Sequence, residues 1–203
     1  MLRFLKAVWQ AGSSQFKFFF VVLMGYLFQV CVMPYIRIGD VTPNLLFAIT
    51  GILTIGYGKL RALWVGCIYG ILMETMVPSI RALNLVLYPL SAGFLSMFFA
   101  DKSEKKLEYE RSIGKAGRNV NAYLRTLACA AANTLIYEIV NVVYMYLGGA
   151  ELSGAIISKA LANVFWTTVL TAVIMVPVRR FLGFKKRKKE KKPDKPAYHI
   201  GRV

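Results

Sequence analysis

Histidine is almost absent from this chain: a single residue, His199, lies in a charged C-terminal stretch. That argues against histidine-based hydrolysis and against any His-ligated metal. The three cysteines, Cys31, Cys67 and Cys129, all fall in apolar stretches and lack Cys-x-x-Cys spacing. Neither a disulfide framework nor a zinc site is therefore indicated. The sequence carries no P-loop, dinucleotide motif, Ser-His-Asp set or metal cluster, and no cofactor is expected. Acids are scarce too, 10 Asp plus Glu against 26 Lys plus Arg, a formal net charge of +16. Such a surplus ordinarily raises nucleic-acid binding. Here, however, the charges form short blocks between long apolar ones. Only 18% of the 203 residues are charged, against about 25% in an ordinary soluble chain. With 57% hydrophobic residues and a mean hydropathy of +0.50, the composition is that of an all-α polytopic membrane protein with no nucleic-acid partner.

A bilayer core of about 30 Å needs roughly 20 apolar residues in helical form. Six stretches approach that length: 18–36, 41–58, 62–80, 82–100, 126–147 and 160–178. None alternates in the manner of a barrel strand. The reading is a six-helix membrane domain over 18–178, after a basic leader (1–17) and before a Lys-rich tail (179–203). The leader places Leu2, Leu5 and Trp9 near one helical face, which fits a short interfacial helix or a disordered arm. No small-residue cleavage site follows the first span, so it reads as uncleaved. Thr42-Pro43-Asn44 has the chemistry of a helix start, with Thr as N-cap and Pro in the first helical position. Placing both termini in the cytoplasm puts 23 Lys and Arg residues inside and only Arg37, Arg81 and Lys159 outside.

Ionisable residues within spans are costly and hence candidates for function. Glu74 and Glu138 are the two clear cases. At 1.5 Å per residue, each lies roughly 18 Å from the cytoplasmic start of its span, in the outer half of the membrane. Arg81 and Lys159 lie at a similar height. Ion pairs or a watery outer vestibule would explain the acids; a partner or ligand would be the sharper reading, and catalysis the least supported. Gly66, Gly70 and Glu74 recur every four residues on one face, and Gly-x-x-x-Gly lets helix backbones approach closely. That face would pack inside the bundle or receive another protein's helix. On the fifth span, Asn133, Thr134, Tyr137, Asn141 and Tyr144 fall within an arc of about 100°, with Glu138 at its edge. Such a stripe would face the bundle interior, a solute cavity or a partner. The tail residues Lys185, Lys186, Arg187, Lys188, Lys189, Lys191 and Lys192 would lie along an anionic inner leaflet.

Pro34-Tyr35-Ile36-Arg37-Ile38-Gly39 leads into Thr42-Pro43-Asn44-Leu45-Leu46, followed by the Gly-rich third span through Glu74, then Leu83-Asn84 and Gly93. This order resembles the rod shape-determining protein MreD family over roughly 18–178, most specifically over 34–74. The chain departs from the family pattern in having Glu74 where Asp is usual, and Pro78-Ser79-Ile80-Arg81 where Gly often follows. The resemblance implies a six-helix bundle similar to the substrate-binding (S) component of energy-coupling-factor (ECF) transporters. It implies a non-enzymatic scaffold or regulator of bacterial cell-wall elongation in the cell membrane. The implied partners are MreC, the polymerase RodA with its class B penicillin-binding protein, and MreB. Pro43, Asn44, Gly66, Gly70 and Glu74 would then shape the docking surface. The rival reading is the vitamin-binding subunit of such a transporter. That subunit typically carries an Ala-x-x-x-Ala face on its first helix, whereas residues 18–33 contain no alanine.

Overall fold

The computed structural model describes residues 2–76, 82–100 and 121–184, with side chains from Gly12 onward. Within these residues the fold is all-helical: α1 (Leu2–Cys31), α2 (Leu45–Tyr57), α3 (Lys59–Met76), α4 (Leu83–Phe99), α5 (Ala122–Leu147) and α6 (Gly154–Phe181). A 3-10 turn at Met33–Tyr35 and an isolated bridge between Ile38 and Val41 connect α1 to α2. Among the described residues three segments are long and apolar enough to cross a membrane: Gly12–Tyr35, α5 and α6. α1 runs unbroken from Leu2 through the leader into the first apolar stretch.

The expected second span over 41–58 contracts to a 13-residue helix, about 20 Å long at 1.5 Å per residue. Its start also differs from the sequence reading. Asn44, not Thr42, is the N-cap, and Pro43 lies one residue before the cap rather than in the first turn. The physical reason is reach: the Asn44 carboxamide accepts from the N–H groups of both Leu46 and Phe47. Residues 45–55 of α2 are all buried. A helix apolar all round can be covered only by others, and α2 touches each of the five other helices.

Close backbone approach fixes several crossings. A Cβ on Gly66 would lie 2.8 Å from Pro89 Cα and from the Tyr88 carbonyl, and one on Gly70 would lie 2.9 Å from the Asn84 carbonyl. The Gly-x-x-x-Gly face is thus covered by α4 of the same chain, and neither glycine is free to receive a partner helix. Gly51 brings α2 onto α5, where a Cβ would be 3.2 Å from both Ala130 Cβ and the Thr126 carbonyl. α1 crosses α3 through two hydroxyls that donate to backbone carbonyls, Tyr69 to Val22 (3.2 Å) and Tyr26 to Leu72 (3.4 Å).

The exterior is apolar. Phe19, Leu23 and Leu27 of α1, Leu90, Phe94 and Phe98 of α4, and Leu161, Phe165 and Val173 of α6 are all exposed. This is the surface expected of helices solvated by lipid. Charge divides between the ends. Lys17, Arg61, Arg125 and Arg179 gather at one end, through contacts that link α1, α3, α4, α5 and α6. Asp40 pairs with Lys159 at the other end, the end at which Glu74 meets the start of α4.

Gly66→Ala should lower the melting temperature of the detergent-solubilised protein, because the contacts it meets are largely backbone and overpacking costs about 1–3 kcal/mol. Gly154→Ala, with nothing within 4 Å of the new methyl, should leave it unchanged or slightly higher.

Candidate functional site

Every helix starts with four backbone N–H groups that have no intrahelical partner. At the start of α2 all four are satisfied by side chains. Asn44 N–H donates to Thr167 Oγ1 (3.0 Å) and Leu45 N–H to Gln29 Oε1 (2.6 Å). Leu46 and Phe47 donate to the Asn44 side chain itself. The α2 start is thereby tied to α1 through Gln29 and to α6 through Thr167. Asn44 Nδ2 donates in turn to the Tyr88 hydroxyl of α4 (3.1 Å).

From this point the polar seam runs in two directions. Towards α3 and α4, Tyr137 of α5 donates to Asn84 Oδ1 (3.4 Å), and the Asn84 N–H donates to Glu74 Oε2 (3.2 Å). Glu74 Oε1 accepts from the Ala82 N–H (2.7 Å). Glu74 is therefore a cap supplied by α3 to the start of α4, where a carboxylate also suits the helix dipole. It holds Ala82 at φ +62°, a left-handed conformation that costs a non-glycine residue about 1–2 kcal/mol. The rings of Phe47, Tyr88 and Tyr137 pack together at the junction, Phe47 and Tyr88 stacked with centroids 4.7 Å apart.

In the second direction, the Thr167 hydroxyl donates to Asn163 Oδ1 (3.2 Å), and Asn163 Nδ2 donates to Glu138 Oε1. One continuous chain thus links the α2 start to Glu138. Glu138 borders an apolar groove of about 210 Å³ between α5 and α6, lined by Leu135, Ile139, Val142, Val143, Ile157, Ala160, Leu161 and Val164. It is the one acid in that lining.

The two acids have separate partners: Glu74 bonds backbone N–H groups and Glu138 bonds Asn163. Lys159 joins neither, since its ammonium lies 3.0 Å from Asp40. Asn133 is fully buried and donates to the Cys129 carbonyl, while its Oδ1 has no hydrogen-bond partner among the described residues. Asn141 is half-buried. Tyr144, expected on the interior stripe, is exposed instead, because α5 overruns the start of the shorter α2 and among the described residues nothing covers its last turn. Arg81 and the basic residues Lys185, Lys186, Arg187, Lys188, Lys189, Lys191 and Lys192 lie outside the described residues. Among the described residues, no cluster of three or more His, Cys, Asp or Glu side chains could hold a metal.

Sequence reasoning passed over Gln29, Tyr88, Asn163 and Thr167. For α6 a signal existed: Asn163, Thr167 and Thr171 recur every four residues and so share a face. Gln29 and Tyr88 stand alone in apolar stretches, and only the crossing of α1 and α4 over the α2 start gives them a task.

Asn44→Ala removes the cap to two N–H groups and the bond to Tyr88, and should cost about 1–3 kcal/mol. Asn44→Ser, which keeps a capping oxygen but cannot reach Tyr88, should fall between alanine and the native residue. Reversible denaturation of the purified protein in mixed micelles would rank the three.

In comparisons with known proteins, no protein-family model, no curated protein and no solved structure matches the chain.

Proposed function

We propose that this chain is a non-enzymatic membrane scaffold of the MreD type, which organises cell-wall elongation proteins by packing their membrane helices against its exterior. The carrying observation is how the polar seam is used. Asn44, Glu74, Tyr137, Asn163 and Thr167 each bond a neighbouring helix, so their hydrogen-bonding capacity goes into holding the bundle together. A transporter subunit would need comparable groups aimed into a solute cavity. The resemblance over residues 34–74 supports the same reading.

In this proposal the chain crosses the bacterial cell membrane six times with both termini cytoplasmic. The gathering of Lys17, Arg61, Arg125 and Arg179 at one end supports that orientation. MreC is the first partner expected, with RodA, its class B penicillin-binding protein and MreB reached directly or through it. With Gly66 and Gly70 packed on α4, the α5–α6 groove is the surface we assign to a partner helix. There Glu138 would accept a hydrogen bond from a polar residue on a partner's spanning helix. Such a bond is worth about 0.6–2 kcal/mol in a membrane, so shape would supply most of the affinity.

The test is a mild-detergent pulldown of the tagged chain from its native membrane, with mass spectrometry of what co-purifies. Recovery of MreC and the wall synthase is expected, and Val143→Trp, which fills the groove, should reduce it several-fold without lowering expression. Recovery of ATPase subunits with a bound small molecule would replace this reading with the vitamin-transporter one.

A further inference from the structure

The basic end of the bundle is built differently from a solvated charged face. Lys17, Arg61 and Arg179 are each half-buried against aromatic rings. The Arg61 guanidinium lies 4.5 Å from the Tyr57 ring centre and 5.7 Å from that of Phe18. Arg179 lies 5.2 Å from Tyr123 and 5.6 Å from Phe184, and the Lys17 ammonium 6.0 Å from Phe181. Three of these rings form one body: Phe18 packs on Tyr57 (5.2 Å), and Tyr57 on Phe184 (5.0 Å), whose ring covers Gly56; Phe181 packs instead on Phe20 (5.8 Å).

Among the described residues, none of these three cations forms a salt bridge. The described carboxylates with bonded partners, Asp40, Glu74 and Glu138, are engaged elsewhere in the bundle. Two buried polar atoms of the same cluster, Tyr57 Oη and Arg179 Nη1, have no hydrogen-bond partner among the described residues. A buried donor without an acceptor is costly, and both of these belong to side chains packed on the Phe184 ring, beside Arg61 on Tyr57. Fixed guanidinium and phenol donors, with excess positive charge and apolar walls, suit an anionic phosphate carrying a hydrophobic body. Basic pockets between spanning helices bind anionic lipid headgroups by this chemistry.

We propose that Arg61, Arg179, Lys17 and the Tyr57 hydroxyl form a binding site for the phosphate of an anionic phospholipid, seated between α1, the α2–α3 junction and the end of α6. The site is distinct from the diffuse attraction of the Lys-rich tail. It requires only that the chain reside in a membrane, so it stands or falls separately from the scaffold reading.

Native mass spectrometry of the full-length protein, titrated with phosphatidylglycerol or phosphatidylethanolamine, tests it. Both lipids carry a phosphodiester, but only the first has a net negative charge. One tightly held phosphatidylglycerol is expected, with at least tenfold preference over phosphatidylethanolamine. Tyr57→Phe removes only an unpartnered hydroxyl and should fold as well as the native chain. It should weaken phosphatidylglycerol binding by about tenfold, the scale of one hydrogen bond to a charged group. Arg61→Gln with Arg179→Gln should abolish the preference. Glutamine at the seven tail positions from Lys185 to Lys192 should leave the single tight lipid in place. Native-like binding by Tyr57→Phe and by the double Arg variant would overturn the proposal, as would loss of the lipid on neutralising the tail. Inorganic pyrophosphate serves as the competitor. Failure to displace the lipid at millimolar concentration supports a lipid source, whereas displacement would overturn it in favour of a soluble phosphate.

Discussion

A helix that begins inside a protein, away from water, must find partners for its first backbone N–H groups, and the bundle is organised around meeting that demand at the start of α2. The four donors from Asn44 to Phe47 take their acceptors from Gln29 on α1, Thr167 on α6 and the Asn44 side chain itself. Leaving a single one unsatisfied would cost about 1–3 kcal/mol. The same groups that relieve this cost set the positions of α1 and α6 around the central helix. The Asn44 amide then passes the constraint to Tyr88 and so to α4.

The same problem recurs at the start of α4 and is solved by a charge. Glu74 reaches from the end of α3 to the N–H groups of Ala82 and Asn84. The glycines one and two turns earlier bring the two backbones close enough for it to do so. Gly66, Gly70 and Glu74 are therefore one device: two small residues permit the approach, and the acid closes its end. A carboxylate near the end of a largely apolar helix, which by itself suggests chemistry, here serves as a helix cap. Glu138 differs, because it combines a bond to Asn163 with a place at the edge of an apolar groove.

At the opposite end Lys17, Arg61 and Arg179 lie against aromatic rings, and among the described residues none of the three pairs with a carboxylate. Cation–π contacts of this kind hold long basic side chains against the bundle while leaving their charge uncompensated. In a snorkelling fringe the charged heads would instead extend away into water.

Much was legible in the residue order. Long apolar blocks set the all-helical membrane class, because only helices and closed barrels satisfy backbone groups in lipid. The four-residue spacing of Gly66, Gly70 and Glu74 revealed a packing face, and the polar arc of α5 marked a buried face on which Asn133 and Thr134 lie and from which Tyr137 joins the seam. What could not be read was which element each face would meet. Gln29 is one polar residue in an apolar stretch, and no local pattern ties it to a backbone N–H sixteen residues on. Likewise, the cap of α2 passed from Thr42 to Asn44 because of side-chain reach in three dimensions, and Tyr144 lost its cover because α2 is short. Periodicity along the chain determined the type of element and its buried face. Only the tertiary structure decided the partners, since a buried hydrogen bond is specified by distance in space and not by separation in sequence.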